Sequence, residues 1–209
     1  MSLSFWLKGI ILGFSIAAPV GPIGVLCIRR TLERGRLNGF ITGLGAATAD
    51  AFYGAVAGLG LTVIIHLLTG LQFWLRLVGG VFLIYLGIQA FRRAIPAGER
   101  AGPETRGLLS AYGSTVLLTL SNPATILSFL TIFAGAGVAS SAGSAQSAGF
   151  LVAGVFTGSC LWWLILSSTV GWLGSRLGAS VLAWVNRVAG GALAAFGLVI
   201  LLSAIPAGG

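Results

Sequence analysis

Long apolar stretches separated by short polar or glycine-rich breaks run the length of the chain. They fall at residues 4–28, 39–67, 71–91, 108–134, 147–171 and 181–204. Each is close to or above the roughly 20 residues that a helix needs to cross a bilayer core about 30 Å thick. The pattern therefore predicts an all-α integral membrane protein of six transmembrane helices. The second stretch is long enough to tilt, or to end in an interfacial turn near His66. One hydrophilic linker, residues 92–106, carries Pro96 and Pro103, and residues 135–149 are rich in Ala, Ser and Gly and read as a flexible loop. Ser15-Ile16-Ala17 resembles a signal-peptidase site, but the apolar run continues past it to Ile28, so the first segment is expected to be retained.

Composition strengthens this picture. Apolar residues make up 56% of the chain and charged residues 8%, against about 25% charged residues in a soluble domain. Such a chain could not cover a water-facing surface. The 33 glycines also suit membrane helices. A net charge of +8 would suggest nucleic acid in a soluble protein. Here, however, no basic stretch is interleaved with aromatics, and most of the arginines cluster between apolar segments. Arg29, Arg30, Arg34 and Arg36 lie between the first two segments, and Arg92, Arg93, Arg100 and Arg106 between the third and fourth. Arg176 and Arg187 lie near the fifth connection, while the opposite side offers Lys8 and Arg76. The positive-inside rule then puts the odd loops in the cytoplasm and both termini outside an inner (plasma) membrane.

Sliding the chain along itself brings out a repeat. At an offset of 110, Gly39-Phe40 falls on Gly149-Phe150, Trp74 on Trp184, Gly80 on Gly190 and Gly87 on Gly197. At 104, Pro19 falls on Pro123 and Ser15 on Thr119. Two units of three helices must point oppositely through the bilayer, which is the inverted-repeat plan of many secondary transporters. The expected organisation is a single transmembrane domain, 1–209. Repeat one covers about 1–93, a cytoplasmic linker about 94–106, and repeat two about 107–209.

The first and fourth helices are expected to break at prolines. Ala17-Ala18-Pro19-Val20-Gly21-Pro22-Ile23-Gly24 interrupts one and Thr119-Leu120-Ser121-Asn122-Pro123 the other. Proline removes a backbone donor and clashes with the preceding turn. Unwound backbone at membrane depth is tolerated where it is buried in protein or lines a cavity. The half-helix that resumes offers free N–H groups suited to a carboxylate. Asp50 is the one acid inside an apolar segment, where an ionised Asp costs about 2.5–3.5 kcal/mol on insertion scales. It could bind a substrate ammonium or carry a proton; otherwise it is a structural acid, hydrogen-bonded between helices or paired with Arg76. Tyr53, Trp162 and Trp163 are possible pocket-lining residues, with packing the plainer role for them. Small-xxx-small spacings such as Gly9/Gly13 and Gly154/Gly158 speak to close helix contact.

Other chemistries find little footing. Lys8 is the sole lysine and no Walker pattern exists, which excludes ATP hydrolysis by a P-loop. One histidine and two scattered cysteines, Cys27 and Cys160, do not make the usual metal clusters. No Ser–His–acid set is available either, so neither an enzyme, a cofactor nor a bound metal is expected.

The run from Ala17 to Pro22, the basic stretch after it, and Gly43-Leu44-Gly45-Ala46-Ala47-Thr48-Ala49-Asp50 together resemble the lysine-exporter (LysE/RhtB) family of amino-acid translocators. Ser121-Asn122-Pro123 and Gly158-Ser159-Cys160-Leu161-Trp162-Trp163 are similar to that family too, although many members carry Gly where Ala49 stands. The resemblance implies secondary export of basic or small polar amino acids, driven by a proton gradient or the membrane potential. It points to Pro19, Gly21, Pro22, Asp50, Asn122 and Pro123 as substrate-binding or coupling residues. The expected partners are an amino acid and the lipid bilayer, with a homo-oligomer a further option. The alternatives are a transmembrane thiol-redox carrier and an inorganic-ion exporter.

Overall fold

A computed structural model describes residues 2–19, 21–58, 70–92, 107–122, 125, 129 and 145–204. Every regular element among them is helical: α1 (Ser2–Ala17), α2 (Pro22–Arg34), α3 (Arg36–Gly58), α4 (Gln72–Arg92), α5 (Leu108–Leu120), α6 (Ala145–Gly174) and α7 (Ala179–Leu202). His66 and Pro123 lie outside the described residues.

The break in the first segment is sharper than a kink. α1 ends at Ala17, and α2 resumes at Pro22 at an angle of 81° to it. Pro22 sits in the first turn, where its missing N–H costs nothing because that donor has no intrahelical partner anyway. α2 then runs on to Arg34, through the stretch expected to be a basic loop. The connection to α3 shrinks to Gly35, whose φ of 88° is a left-handed conformation that glycine adopts without penalty. Arg29, Arg30 and Arg34 are therefore helical, and Arg29 is only 4% exposed. Counting them as loop charges misplaced them, because the positive-inside rule sees sequence position and not burial.

Among the described residues three helices are long and apolar enough to cross a membrane, over Phe73–Ala90, Gln146–Gly174 and Ser180–Leu202, and α1 with α2 makes a fourth if the bent pair is one span. α6 begins at Ala145, so the end of the expected 135–149 loop is already helical. α3 is less apolar because Gly, Ala, Thr and Asp50 fill it. Its faces are instead covered by α2, α5 and α6.

Small residues set how closely these helices approach. Apolar burial gives little drive in lipid, so helices associate through tight van der Waals contact and hydrogen bonds. α1 packs along α6 with Gly9 facing Gly154 and Val155, Gly13 facing Val155, and Gly158 facing Ile10. A Cβ on Gly154 would lie 2.8 Å from the Gly9 Cα. α4 crosses α7 in the opposite sense, Gly80 meeting Gly197 and Gly87 meeting Gly190. Asn186 Nδ2 donates to the Ala90 carbonyl (3.1 Å) at the end of that seam. Between the two pairs, Leu26, Cys27, Leu83, Leu118, Trp163 and Leu193 form one apolar core, and Tyr53, Phe129, Leu151 and Val155 a second.

Gly154→Ala is expected to destabilise the protein by about 1–3 kcal/mol, the usual cost of overpacking. At Gly113, nothing lies within 4 Å of an added Cβ, so alanine there should be neutral or gain up to about 1 kcal/mol of helix propensity. Thermal unfolding in detergent checks the pair, and equal melting temperatures would contradict the packing described.

Candidate functional site

The turn between α1 and α2 does not pack solid. A cavity of about 180 Å³ opens there, bounded by Pro19 and Gly21 in the turn and by Pro22, Ile23 and Gly24 in the first turn of α2. Across it stand Asp50 from α3, Thr119 from the end of α5, Asn122 and Thr125 beyond it, and Trp163 from α6. Five of the six residues singled out from sequence thus meet at one cavity, although they come from distant parts of the chain. Pro123 lies outside the described residues.

The α2 end of the cavity is a bare helix terminus. Gly21 is the N-cap, in an extended conformation, and no side chain caps the helix. The first turn of any helix leaves N–H groups without intrahelical partners. Proline removes one of them here, and Ile23 and Gly24, the next two residues of that turn, line the cavity. The positive end of the helix dipole points the same way.

Asp50 supplies the opposite charge. It is 3% exposed, and its Oδ2 accepts a hydrogen bond from Ser159 Oγ at 2.7 Å. Ser159 Oγ in turn accepts from Trp163 Nε1 at 3.1 Å. The two α6 residues are one turn apart, so they present one face of that helix to α3 and fix the carboxylate's orientation. No other hydrogen bond reaches the carboxylate from the described residues. Arg76 is not its partner; that guanidinium donates to the Ser203 carbonyl instead.

The break after α5 is finished differently. The Ser121 N–H returns to the Leu117 carbonyl and the Asn122 N–H to that of Thr119, which tightens the last turn. Tyr53 OH donates to the Leu120 carbonyl at 2.7 Å, filling one of the acceptors a helix end leaves open. Tyr53 therefore supports the break and is not a cavity wall. Trp163 lines the cavity, whereas Trp162 meets Phe14 edge-on at 5.4 Å in the α1–α6 seam. Thr119 Oγ1 is buried at the cavity without a hydrogen-bond partner among the described residues. It remains available to a polar ligand.

Cys27 and Cys160 are free thiols. Cys27 is buried with Sγ donating to the Gly39 carbonyl at 3.4 Å, in the contact between α2 and α3.

Ser159, Thr119 and Thr125 went unnoticed in the sequence. The internal offset of 110 sets Asp50 against Cys160, next to Ser159, and this was the one available hint that α3 and α6 meet at that level.

The chain is similar to proteins named for amino acid efflux. YcgF of Bacillus subtilis (strain 168), named as a candidate amino acid efflux protein, is 30% identical over 200 residues, covering 93% of this chain and 94% of its own. The threonine efflux protein of Salmonella typhimurium is 27% identical over 188 residues, 88% of this chain and 90% of its own. The leucine efflux protein of Salmonella choleraesuis is 26% identical over 132 residues, 63% of this chain and 62% of its own. No solved structure matches the chain. The profile of the LysE type translocators matches residues 14–204, and with nearly the whole apolar bundle inside that match the chain belongs to the LysE translocator family.

Proposed function

We propose that the protein is a secondary exporter of a small, neutral amino acid across the inner membrane, with its substrate held in the cavity at the α1–α2 turn. One observation carries this reading: an uncapped helix N-terminus and a buried carboxylate face the same 180 Å³ cavity. The two ends complement the two ends of a zwitterion. The α-carboxylate takes the N–H groups of Ile23 and Gly24, and the α-ammonium takes Asp50. Thr119 Oγ1 is left for a polar side chain, beside Asn122 and Thr125 in the cavity wall.

This division of labour favours a small polar or aliphatic substrate over a basic one. Asp50 is the one acid among the described residues that line the cavity, so a second positive charge would be buried without a partner there, at a cost of several kcal/mol. The relatives named for threonine and leucine efflux support the same choice. For coupling, Asp50 holds the ammonium during export and a proton on the return, so that one proton exchanges for one amino acid.

The helix contacts support two inverted units, about 1–93 and 107–209. α1 against α6 has its counterpart in α3 against α5. Shifting by 110 residues turns the Gly80–Gly197 contact into the Gly190–Gly87 contact. In the proposed orientation the 94–106 linker is cytoplasmic. Nothing favours the thiol-redox or inorganic-ion readings: Cys27 is spent on a carbonyl within the α2–α3 contact.

Inverted vesicles loaded by an imposed proton gradient, screened with labelled threonine, leucine and lysine, test the function directly. Threonine or leucine should accumulate and lysine should not. Asp50→Asn should abolish gradient-driven accumulation with the protein still folded in the membrane, and Asp50→Glu should retain part of it. Ser159→Ala should lower transport roughly tenfold or more, the value of a hydrogen bond to a charged group. Full transport by the Asp50→Asn variant would remove the carboxylate from the mechanism.

Orientation is checked separately. On a background free of Cys27 and Cys160, cysteines placed at residues 94–106 should be shielded from an impermeant thiol reagent in intact cells, and those at 135–144 should react. Reaction of the linker from outside would invert the topology.

A further inference from the structure

A second cavity, about 230 Å³, lies further along α2 than the first, between the C-terminal half of α2, the second half of α4 and the start of α5. Its polar wall is built from Arg29, Arg30, Glu33 and Arg34, with Ser110 and Tyr85 at the margin. The charges do not cancel: three arginines face one glutamate, a balance of +2.

The pairing is also uneven. Glu33 Oε1 is taken by Arg29 Nε at 2.8 Å, and the same guanidinium donates to the Leu86 carbonyl at 2.9 Å. Arg30 has only neutral acceptors: Thr42 Oγ1, the Ala111 carbonyl, Thr115 Oγ1 and Ser114 Oγ, at 2.9–3.2 Å. Arg34 makes no side-chain hydrogen bond or ion pair among the described residues. The 93–106 connection from α4 to α5 holds Arg93, Arg100 and Arg106 against Glu99 and Glu104, so its own balance is positive as well. A partly buried cluster of this kind calls for a compensating anion.

Its position says where the anion comes from. Arg34 ends α2, Arg36 starts α3 and Gly107 precedes α5, so the cavity sits at the level where helices end, and in a membrane that is the headgroup layer. α4 and α5 touch only slightly, leaving the cavity open between them. Its flanks, Tyr85 (57% exposed) and Leu109 (84%), are the apolar and aromatic surface a lipid-facing rim presents. The volume is several times the roughly 30 Å³ share of a water molecule, enough for a phosphate and part of its alcohol.

We infer that this cavity binds the headgroup of an anionic phospholipid, its phosphate held by Arg30 and Arg34 while its acyl chains lie along α4 and α5. Basic pockets between membrane helices at the headgroup level are suited to such ligands. The site is independent of which solute the first cavity carries.

Native mass spectrometry of the full chain in detergent, titrated with phosphatidylglycerol or phosphatidylcholine, tests the assignment. Phosphatidylglycerol should be retained preferentially. Arg30 holds three helices together, and its removal can unfold the protein, so Arg34→Gln is the informative variant. It should weaken phosphatidylglycerol retention about fivefold, leaving phosphatidylcholine retention and melting temperature unchanged. Arg187→Gln, an exposed charge on α7, should change nothing. Equal retention of the two lipids, or wild-type retention by Arg34→Gln, overturns the site. Saturation by soluble glycerol phosphate at the same concentration as phosphatidylglycerol would assign the cavity to a free anion and overturn the lipid reading.

Discussion

Inside a bilayer no water is available to solvate a polar group, so every buried donor and acceptor must find its partner within the protein. Most of the architecture follows from how this chain meets that demand. Where α1 stops, the chain turns through 81° and the prolines remove donors that would otherwise be stranded. Where α5 stops, Tyr53 reaches across from α3 to the Leu120 carbonyl. Thr31, Thr42, Thr48 and Thr115 return their hydroxyls to carbonyls one turn back. The buried arginines of α2 do the same work between helices, taking carbonyls and hydroxyls of α3, α4 and α5. Against that background the unsatisfied groups stand out, and Thr119 Oγ1 is one of them, at the cavity wall.

Glycine plays the complementary part. In the α1–α6 and α4–α7 seams its lack of a side chain lets backbones touch, which replaces the hydrophobic drive that lipid cannot supply. The bundle is held by two such seams, and α2 and α3 fill the space between them. The polar residues are concentrated there, on the helices with the least contact with lipid. This explains why α3, the helix with Asp50, falls short of the apolar character of a free-standing span.

Much of this was legible in the sequence. Apolar runs located α4, α6 and α7 to within a few residues, because a membrane helix must be apolar over most of its surface. The break between α1 and α2 was legible because proline has a local effect that needs no tertiary information, and Asp50 because a lone acid is conspicuous in such a chain. What escaped depended on contacts between distant segments. Arg29 and Arg30 read as topology signals, and their burial follows from α4 and α5 arriving beside α2. Ser159 looked like any other serine until α6 was laid against α3. The extent of α2 was missed for a different reason: its last turns, with Arg29, Arg30, Glu33 and Arg34, are polar enough to read as a loop.

The one-residue joint between α2 and α3 has a mechanical consequence. α2 is fastened to α3 at Gly35, by Cys27 Sγ to the Gly39 carbonyl and by Arg30 to Thr42, whereas four residues, 18–21, separate it from α1. α2 and α3 are thus tied together near their joint as a V, the α2 arm of which is about 20 Å long at 1.5 Å per residue. The helix terminus at Pro22 and the carboxylate of Asp50 ride on the two arms of that V. A movement of α2 and α3 as one body would carry both, keeping the helix terminus and the carboxylate at one separation while the surroundings change.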